Sequence, residues 1–393
     1  MESRMPQLAR RMTEMPGSGI RAITNRALAI PGAIRLEIGE PDFSTPEHIV
    51  EAAHRAARDG YTRYTETQGL RSLREAWTDR IEHINGYRAT PENLTVTAGA
   101  TAGLFATFAA ILGSGDEILL PDPGWPNWAM MARLLGATPV GYLCSPRAGW
   151  TPDFDHLETL VGPRTRAILI NSPANPTGAV LDQGTLNALA EFARRHRLWL
   201  ISDECYDSIL FEGRHLGAAT AGDPDRTVTI VSCSKTYAMT GWRIGCVAAP
   251  EPLTASIAKV QQATQASVCG VSQKAAEAAL TGPQDCVAAM CAAYQRRRDL
   301  VVAILADHGR SIEPPQGAFY VMLDLPEEQT DSTAFAVDLL ERHHVAVAPG
   351  AAFGAAASGA VRIALCVSDE ALRTGLPRLC NALEEHDAAR AGT

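Results

Sequence analysis

Between Ser232 and Gly245 the chain reads Ser-Cys-Ser-Lys-Thr-Tyr-Ala-Met-Thr-Gly-Trp-Arg-Ile-Gly, and two of these side chains are suited to chemistry. Only three of the 35 basic residues are lysines, Lys235, Lys259 and Lys274, so arginine serves almost wherever a plain positive charge is wanted. An amine in apolar surroundings loses its proton more readily, because burial disfavours the charged form, whereas a guanidinium stays protonated. A neutral Lys235 amine is a nucleophile toward carbonyls and forms a Schiff base with an aldehyde. Arg243, bracketed by Gly241 and Gly245, offers a planar fork that suits phosphate. An aldehyde for the lysine and a phosphate for Arg243 and Ser232 together point to pyridoxal 5'-phosphate (PLP). Taken alone, the stretch also fits a surface lysine beside a structural arginine.

These residues need a support, and Thr227–Val231 supplies it: a β-branched run that reads as a buried strand. Lys235 then lies just past the carboxyl end of a strand, where open α/β sheets bind ligands. Further strands read at Leu94–Thr97, Glu117–Leu120, Pro139–Leu143, Arg166–Ile170, Leu198–Ser202 and Ile244–Ala248. With helices between most of them, seven strands imply an α/β fold, a mainly parallel sheet covered on both faces. The turn Ala98-Gly99-Ala100-Thr101 precedes a helix over Ala102–Leu112, whose start favours a phosphate by about 0.3 to 2 kcal/mol.

Upstream, Ile34–Ile38 reads as a strand entering Gly39-Glu40-Pro41-Asp42-Phe43, where Gly39 marks either a close approach of backbone to a ligand or a simple turn. Ser44 or Thr45 can cap a helix that has Pro46 in its first turn, and a second helix spans Leu70–Ile84. Beyond Gln261 the chain turns helical. A long helix over Asp285–His308 carries Arg296-Arg297-Arg298, which reads as a solvated face. Strands at Gly317–Leu323, Val345–Ala348 and Val361–Leu365, a helix over Ser332–Arg342 and a last helix from Asp369 make a smaller α+β domain, with a disordered tail expected after His386.

A chain of 393 residues exceeds the usual single core, so a large and a smaller domain are expected. The net charge of -9 argues against nucleic-acid and anionic-membrane partners, which call for a basic face. No run approaches the roughly 20 apolar residues needed to span a bilayer, and the first residues lack an apolar signal core, so a cytoplasmic location is expected. Nine cysteines, odd in number and without a Cys-x-x-Cys pair, indicate neither a disulfide framework nor a metal site.

The strand ends carry more residues of interest. Asp203 closes the strand Leu198–Ser202, where a carboxylate is costly unless paired, and a protonated pyridine nitrogen is one such partner. Asn175 stands in the Asn171–Gly178 loop, which two prolines stiffen, and Trp125 offers a flat face for a ring. Singly, each also fits a structural role.

Together, Ser-x-Ser-Lys followed by Gly-Trp-Arg-Ile-Gly, the Asn-Pro-Thr-Gly loop, Ser-Asp-Glu-x-Tyr and Gly-Glu-Pro-Asp-Phe resemble the class I/II aminotransferases of PLP fold type I. The match is to the bacterial aspartate/aromatic branch and covers about residues 30 to 380. It implies an N-terminal arm and part of a small domain over 1–45, a large PLP-binding domain over 46–289 and a small C-terminal domain over 290–393. Lys235 would hold the cofactor and shuttle the proton between substrate Cα and cofactor C4'. Asp203 would keep the pyridine nitrogen protonated, while Asn175 and Tyr206 would hydrogen-bond the ring oxygen and Trp125 would stack on the ring.

By the same resemblance Gly99, Ala100, Thr101, Ser232 and Arg243 would bind the phosphate, with Tyr64 added from the partner subunit of a homodimer. Arg362 would take the substrate α-carboxylate, assisted by Gly39, Asn175 and Trp125. An arginine inside the apolar strand around Val361-Arg362-Ile363 needs an anion in any case. The implied activity moves an amino group between an L-α-amino acid and a 2-oxo acid by a ping-pong mechanism. The same scaffold and cofactor also serve β-lyases, cyclases and oxidases. One departure bears on substrate: Thr101 stands where an aspartate-using subgroup carries a lysine, and Gln261–Gln273 holds no arginine for a second carboxylate. An apolar or aromatic donor is therefore expected over aspartate, with Trp125, Trp128, Phe319 and Tyr320 available for a side-chain pocket.

Overall fold

The computed structural model describes residues 8–13, 15–326 and 331–391. After a two-residue strand β1 (Ile34–Arg35) come β2 (Leu94–Thr97), β3 (Glu117–Asp122), β4 (Thr138–Leu143), β5 (Thr165–Asn171), β6 (Trp199–Asp203), β7 (Thr227–Ser232) and β8 (Gly245–Ala248). The last seven form one sheet in the order β2-β8-β7-β6-β5-β3-β4. All its pairings are parallel except those of β8, which runs antiparallel to both β2 and β7. Between β7 and β8 lie only a single helical turn, Cys233–Thr236, and a 3-10 turn, Thr240–Trp242, too little for a crossover back to the start of the sheet. The chain therefore turns round at its ligand-binding edge, and Gly245 pairs with both Thr97 and Ser232 there.

Helices cover both faces, which is why β2, β7 and β8 are buried along their whole length. Leu104 and Phe108 from the helix Ala100–Ile111 pack with Ile257 over Ile118, Val228 and Val247. On the other face Leu186, Leu189 and Phe192 from the helix Gln183–His196 cover Ile168, Ile170 and Leu200. The helix Glu47–Arg58 begins without a side-chain cap, at Pro46. Thr45 instead donates its hydroxyl to the Ala238 carbonyl (2.7 Å) and accepts from Trp242 Nε1 (3.0 Å), tying the start of the chain to the segment that carries Lys235. The second helix is regular over Arg71–Arg80 and widens into a π turn at Ile81–Asn85 before Gly86.

Near the C-terminus β9 (Tyr320–Asp324), β10 (Val345–Ala346), β11 (Ala348–Pro349) and β12 (Ala360–Ala364) complete the strands. The run Val345–Ala348, expected as one strand, divides: β10 pairs in parallel with β1, and β11 joins the antiparallel sheet β11-β12-β9. Two further expectations are corrected. Of the arginine run only Arg296 is exposed: Arg297 and Arg298 are buried. Arg297 grips Asp42 through both terminal nitrogens (2.8 and 2.7 Å) and Asp369 through Nε (3.1 Å), so it is a strut under the Gly39–Phe43 segment. The final helix runs from Asp369 to Ala391, past His386 where a disordered tail is expected.

Candidate active site

A cavity of about 240 Å³ opens at the carboxyl edge of the large sheet. Gly39, Ala100, Thr101, Trp125, Asn175, Asp203, Tyr206, Ser232, Lys235, Arg243 and Arg362 all line it. The sheet register explains the convergence, because Asn171 ends β5 opposite Asp203 at the end of β6, and Ser232 ends β7 opposite the start of β8. Two expected residues do not line the cavity, Gly99 and Tyr64.

Lys235 stands on the single helical turn after β7, whose N-cap Ser232 accepts a hydrogen bond from Ser234 N (3.1 Å). Its Nζ donates to the Gly39 carbonyl at 2.7 Å. Burial pushes the amine's pKa down, with nearby Cys366, Cys205 and Glu40 offsetting only part of the effect. Gly39 lets the Tyr320 ring come against the backbone, since a Cβ there would overlap the hydroxyl of Tyr320.

Asp203 is 5% exposed and makes no ion pair among the described residues. Its Oδ1 accepts from Cys205 N at 3.3 Å. Burial raises its pKa; the Cys205 hydrogen bonds oppose this, as does the nearby Trp128 indole, although its Nε1 completes no hydrogen bond of its own. Asn171, which the sequence analysis did not single out, stitches the site together: Nδ2 donates to the Asp203 carbonyl (2.7 Å), and Oδ1 accepts from Asn175 N (2.7 Å). Its signal in sequence is a polar residue at the end of an apolar strand.

Arg362 is 2% exposed in the middle of β12. Nη1 donates to Asn175 Oδ1 (2.8 Å) and Nη2 to the Glu37 carbonyl (2.6 Å), while the guanidinium lies over Tyr320 (4.2 Å) and Phe353 (4.7 Å). Its buried Nε has no hydrogen-bond partner. Tyr206 and Tyr320 share a hydrogen bond of 2.8 Å between hydroxyls. Phe319 is wholly buried and does not line the cavity, whereas Tyr320 does. The lining also includes Ile20, Leu104 and Trp128.

At the other end Arg243 bonds the carbonyls of Thr240 (2.9 Å) and Ala98 (3.4 Å). Gly99 has φ 79°, and a Cβ on it would stand 2.6 Å from Arg243 Nη2. Glycine thus lets the guanidinium cross the turn where the helix Ala100–Ile111 begins, beside its unpaired N–H groups. Trp125 and Trp128 make a T-shaped pair with centroids 6.0 Å apart, and both line the cavity. Tyr64 is 90% exposed on a loop that is nonetheless well tethered. Gln273 Nε2 donates to Thr65 Oγ1 (2.8 Å) and its Oε1 accepts from Leu70 N (2.7 Å), while Gln261 Nε2 holds the Thr67 carbonyl.

The family profile for aminotransferase class I and II matches residues 31–379. The chain belongs to that family. It is 38% identical over 386 residues to the aspartate/prephenate aminotransferase of Thermus thermophilus, covering 96% of this chain and 99% of that one. It is 38% identical over 347 residues to an arginine–pyruvate transaminase of Pseudomonas aeruginosa, with 88% of each chain covered. The structure of Thermus thermophilus aspartate aminotransferase with maleate superposes with a TM-score of 0.91 at 38% identity, over 96% of this chain and 100% of that one. The fold is that of the aspartate aminotransferases, and the activity is PLP-dependent transamination.

The residues present fit PLP: Asp203 is a buried carboxyl with no ion pair among the described residues, Arg362 has a buried Nε without a hydrogen-bond partner, and Arg243 crosses the glycine turn where the helix Ala100–Ile111 begins. Bound PLP supplies an aldehyde for the lysine and a protonated ring that draws electrons from the substrate Cα.

Proposed function

We propose that this aminotransferase prefers an apolar or aromatic L-α-amino acid to aspartate as amino donor. Three basic side chains line the cavity, Lys235, Arg243 and Arg362, and each has a duty, so among the described residues none remains for a second carboxylate. Ile20, Leu104, Trp125 and Trp128 instead offer apolar surface, whose burial is worth about 25 cal/mol per Å². Several relatives carry aspartate in their names, among them the Thermus thermophilus enzyme, which makes the donor a sharp test. A panel of amino acids with one fixed 2-oxo acid should rank leucine, phenylalanine or tyrosine above aspartate in kcat/KM. Aspartate at the head of that ranking refutes the proposal.

The roles within the site follow the same reading. Lys235 Nζ binds the cofactor aldehyde and moves the proton off the substrate Cα, which its lowered pKa supports. Asp203 binds and keeps charged the pyridine nitrogen, as its unpaired burial supports. Tyr206 and Asn175 orient the ring oxygen, and Trp125 excludes water from one ring face. Ser232, Arg243 and the N–H groups of Ala100 and Thr101 hold the phosphate, with Gly99 making room for the Arg243 guanidinium. Arg362 holds the α-carboxylate beside Gly39 and Asn175.

The enzyme in this reading is a cytoplasmic homodimer in which Tyr64 of one chain reaches the phosphate of the other. A firmly held loop that ends in a nearly fully exposed tyrosine supports the shared site. All nine cysteines are free, which suits a reducing compartment, and among the described residues no helix is long and apolar enough to cross a membrane. The division at 1–45, 46–289 and 290–393 is proposed on the same footing; the pairing of β1 with β10 supports placing the early residues with the C-terminal unit.

A further inference from the structure

The backbone that leaves β6 divides its side chains between two environments. Asp203 and Tyr206 face the cavity, whereas Glu204 and Asp207, 1% and 2% exposed, point behind it into a buried polar network. There Glu204 Oε1 accepts from Ala218 N (3.0 Å), and Oε2 accepts from Asn85 Nδ2 (2.6 Å) and meets His215 Nε2 (2.7 Å). Asn85 Nδ2 also reaches Asp207 Oδ2 (3.3 Å), and Asp207 is gripped through both oxygens by Arg80 (2.8 and 2.6 Å).

All five residues are buried, so each carboxyl depends on its partners rather than on water. Burial alone would raise the pKa of Asp207 and lower that of His215, but Arg80 outweighs it in the first case and Glu204 in the second. The network draws on two remote segments: the helix Arg71–Arg80 with the π turn that continues it to Asn85, and the His215–Ala218 segment, where Gly217 packs directly on the Asn85 carbonyl.

We infer that Glu204 is a positioning residue for transamination: anchored by His215, Asn85 and the Ala218 N–H, it fixes the Asp203–Asp207 backbone and so aims Asp203 and Tyr206 at the cofactor ring. The inference rests on the roles proposed above for those two residues. Glu204 touches neither substrate nor cofactor, and its effect is transmitted through the backbone it shares with its neighbours.

The test compares Glu204→Ala, Glu204→Gln, Asn85→Ala and Asp203→Asn with the unaltered holoenzyme. Three quantities are read: the midpoint of the cofactor's absorbance titration with pH, the affinity of the PLP-free protein for PLP, and kcat and KM separately. For Glu204→Ala a displaced titration midpoint, weaker PLP binding and a kcat lower by on the order of 100-fold are expected, because a small misplacement of a catalytic group has that effect. KM for the amino acid should stay close to its original value, since Arg362 is untouched. Glu204→Gln should recover part of the loss, because it keeps the side chain's volume and its oxygen can still accept from Ala218 N, while its amide nitrogen faces the donors of Asn85 and His215. Asn85→Ala, which removes a single donor, should shift the titration in the same direction and carries the test if Glu204→Ala does not fold. A fall in thermal stability with an unmoved titration midpoint and unchanged kcat per bound cofactor overturns the inference. Asp203→Asn separates the two layers. If it leaves the titration unmoved, the role of Asp203 itself is wrong; if it moves the titration while the Glu204 and Asn85 variants do not, only the positioning role falls.

Discussion

Replacing Arg362 by lysine keeps one positive charge and removes the fork. The guanidinium spends Nη1 on Asn175 Oδ1 and Nη2 on the Glu37 carbonyl, leaves Nε without a hydrogen-bond partner, and is stacked between Tyr320 and Phe353. A lysine has one nitrogen and cannot serve two framework acceptors and a carboxylate in fixed directions. At least one charge-assisted hydrogen bond to the substrate is lost, worth about 1.5 to 3 kcal/mol. At 1.36 kcal/mol per decade that is roughly a 10- to 150-fold fall in kcat/KM. The contact exists before and during the reaction alike, so the fall should appear mainly as a raised KM, for the amino acid and for the 2-oxo acid. Affinity for PLP should be unchanged, because the proposed phosphate cradle is built around Arg243, which shares no hydrogen-bond partner with Arg362. Half-reaction kinetics with an amino acid and with the matching amine that lacks the α-carboxylate make the assay. An unchanged kcat/KM for the amino acid, or an equal fall for the amine, refutes the assignment.

Asp203→Asn should stabilise the PLP-free protein at neutral pH. The folded carboxyl has its pKa raised by burial above the unfolded value of about 4. In the window between the two values the native state holds a proton that the unfolded chain has released, so stability is lost as pH rises through it. The variant lacks this loss, and its advantage in Tm should shrink as the pH is lowered toward the unfolded value; parallel Tm–pH curves for the two PLP-free proteins contradict the reasoning. Mixing inactive Lys235→Ala with Tyr64→Ala under subunit exchange should give activity above that of either parent, since one site of the heterodimer combines an intact lysine with an intact tyrosine. The gain requires Tyr64→Ala to be impaired by the loss of a hydrogen bond worth about 1.5 to 3 kcal/mol. A dilute monomer that retains full activity disposes of the shared site.

The sequence by itself determined the scaffold and most of the chemistry. β-Branched runs such as Thr227–Val231 and short strand–turn–helix units are local signals, readable because side-chain period and turn residues depend on nearest neighbours. The residues that line the cavity were legible for a related reason: many sit at strand ends in short, dense motifs, as Asp203 and Lys235 do. What needed the tertiary structure is everything that depends on partners far along the chain. An arginine run looks the same in sequence whether solvent or Asp42 and Asp369 lie over it, and only packing showed Arg297 to be a strut. Val345–Ala348 reads as one strand until two different edges claim its halves. Asn171, the Tyr206–Tyr320 hydrogen bond and the network behind Glu204 were likewise hidden, because Tyr206 and Tyr320 are 114 residues apart and Asn85 and Glu204 are 119 apart. A polar side chain announces that it will need a partner; which partner it finds is decided when the sheet edge and the surrounding helices close around it.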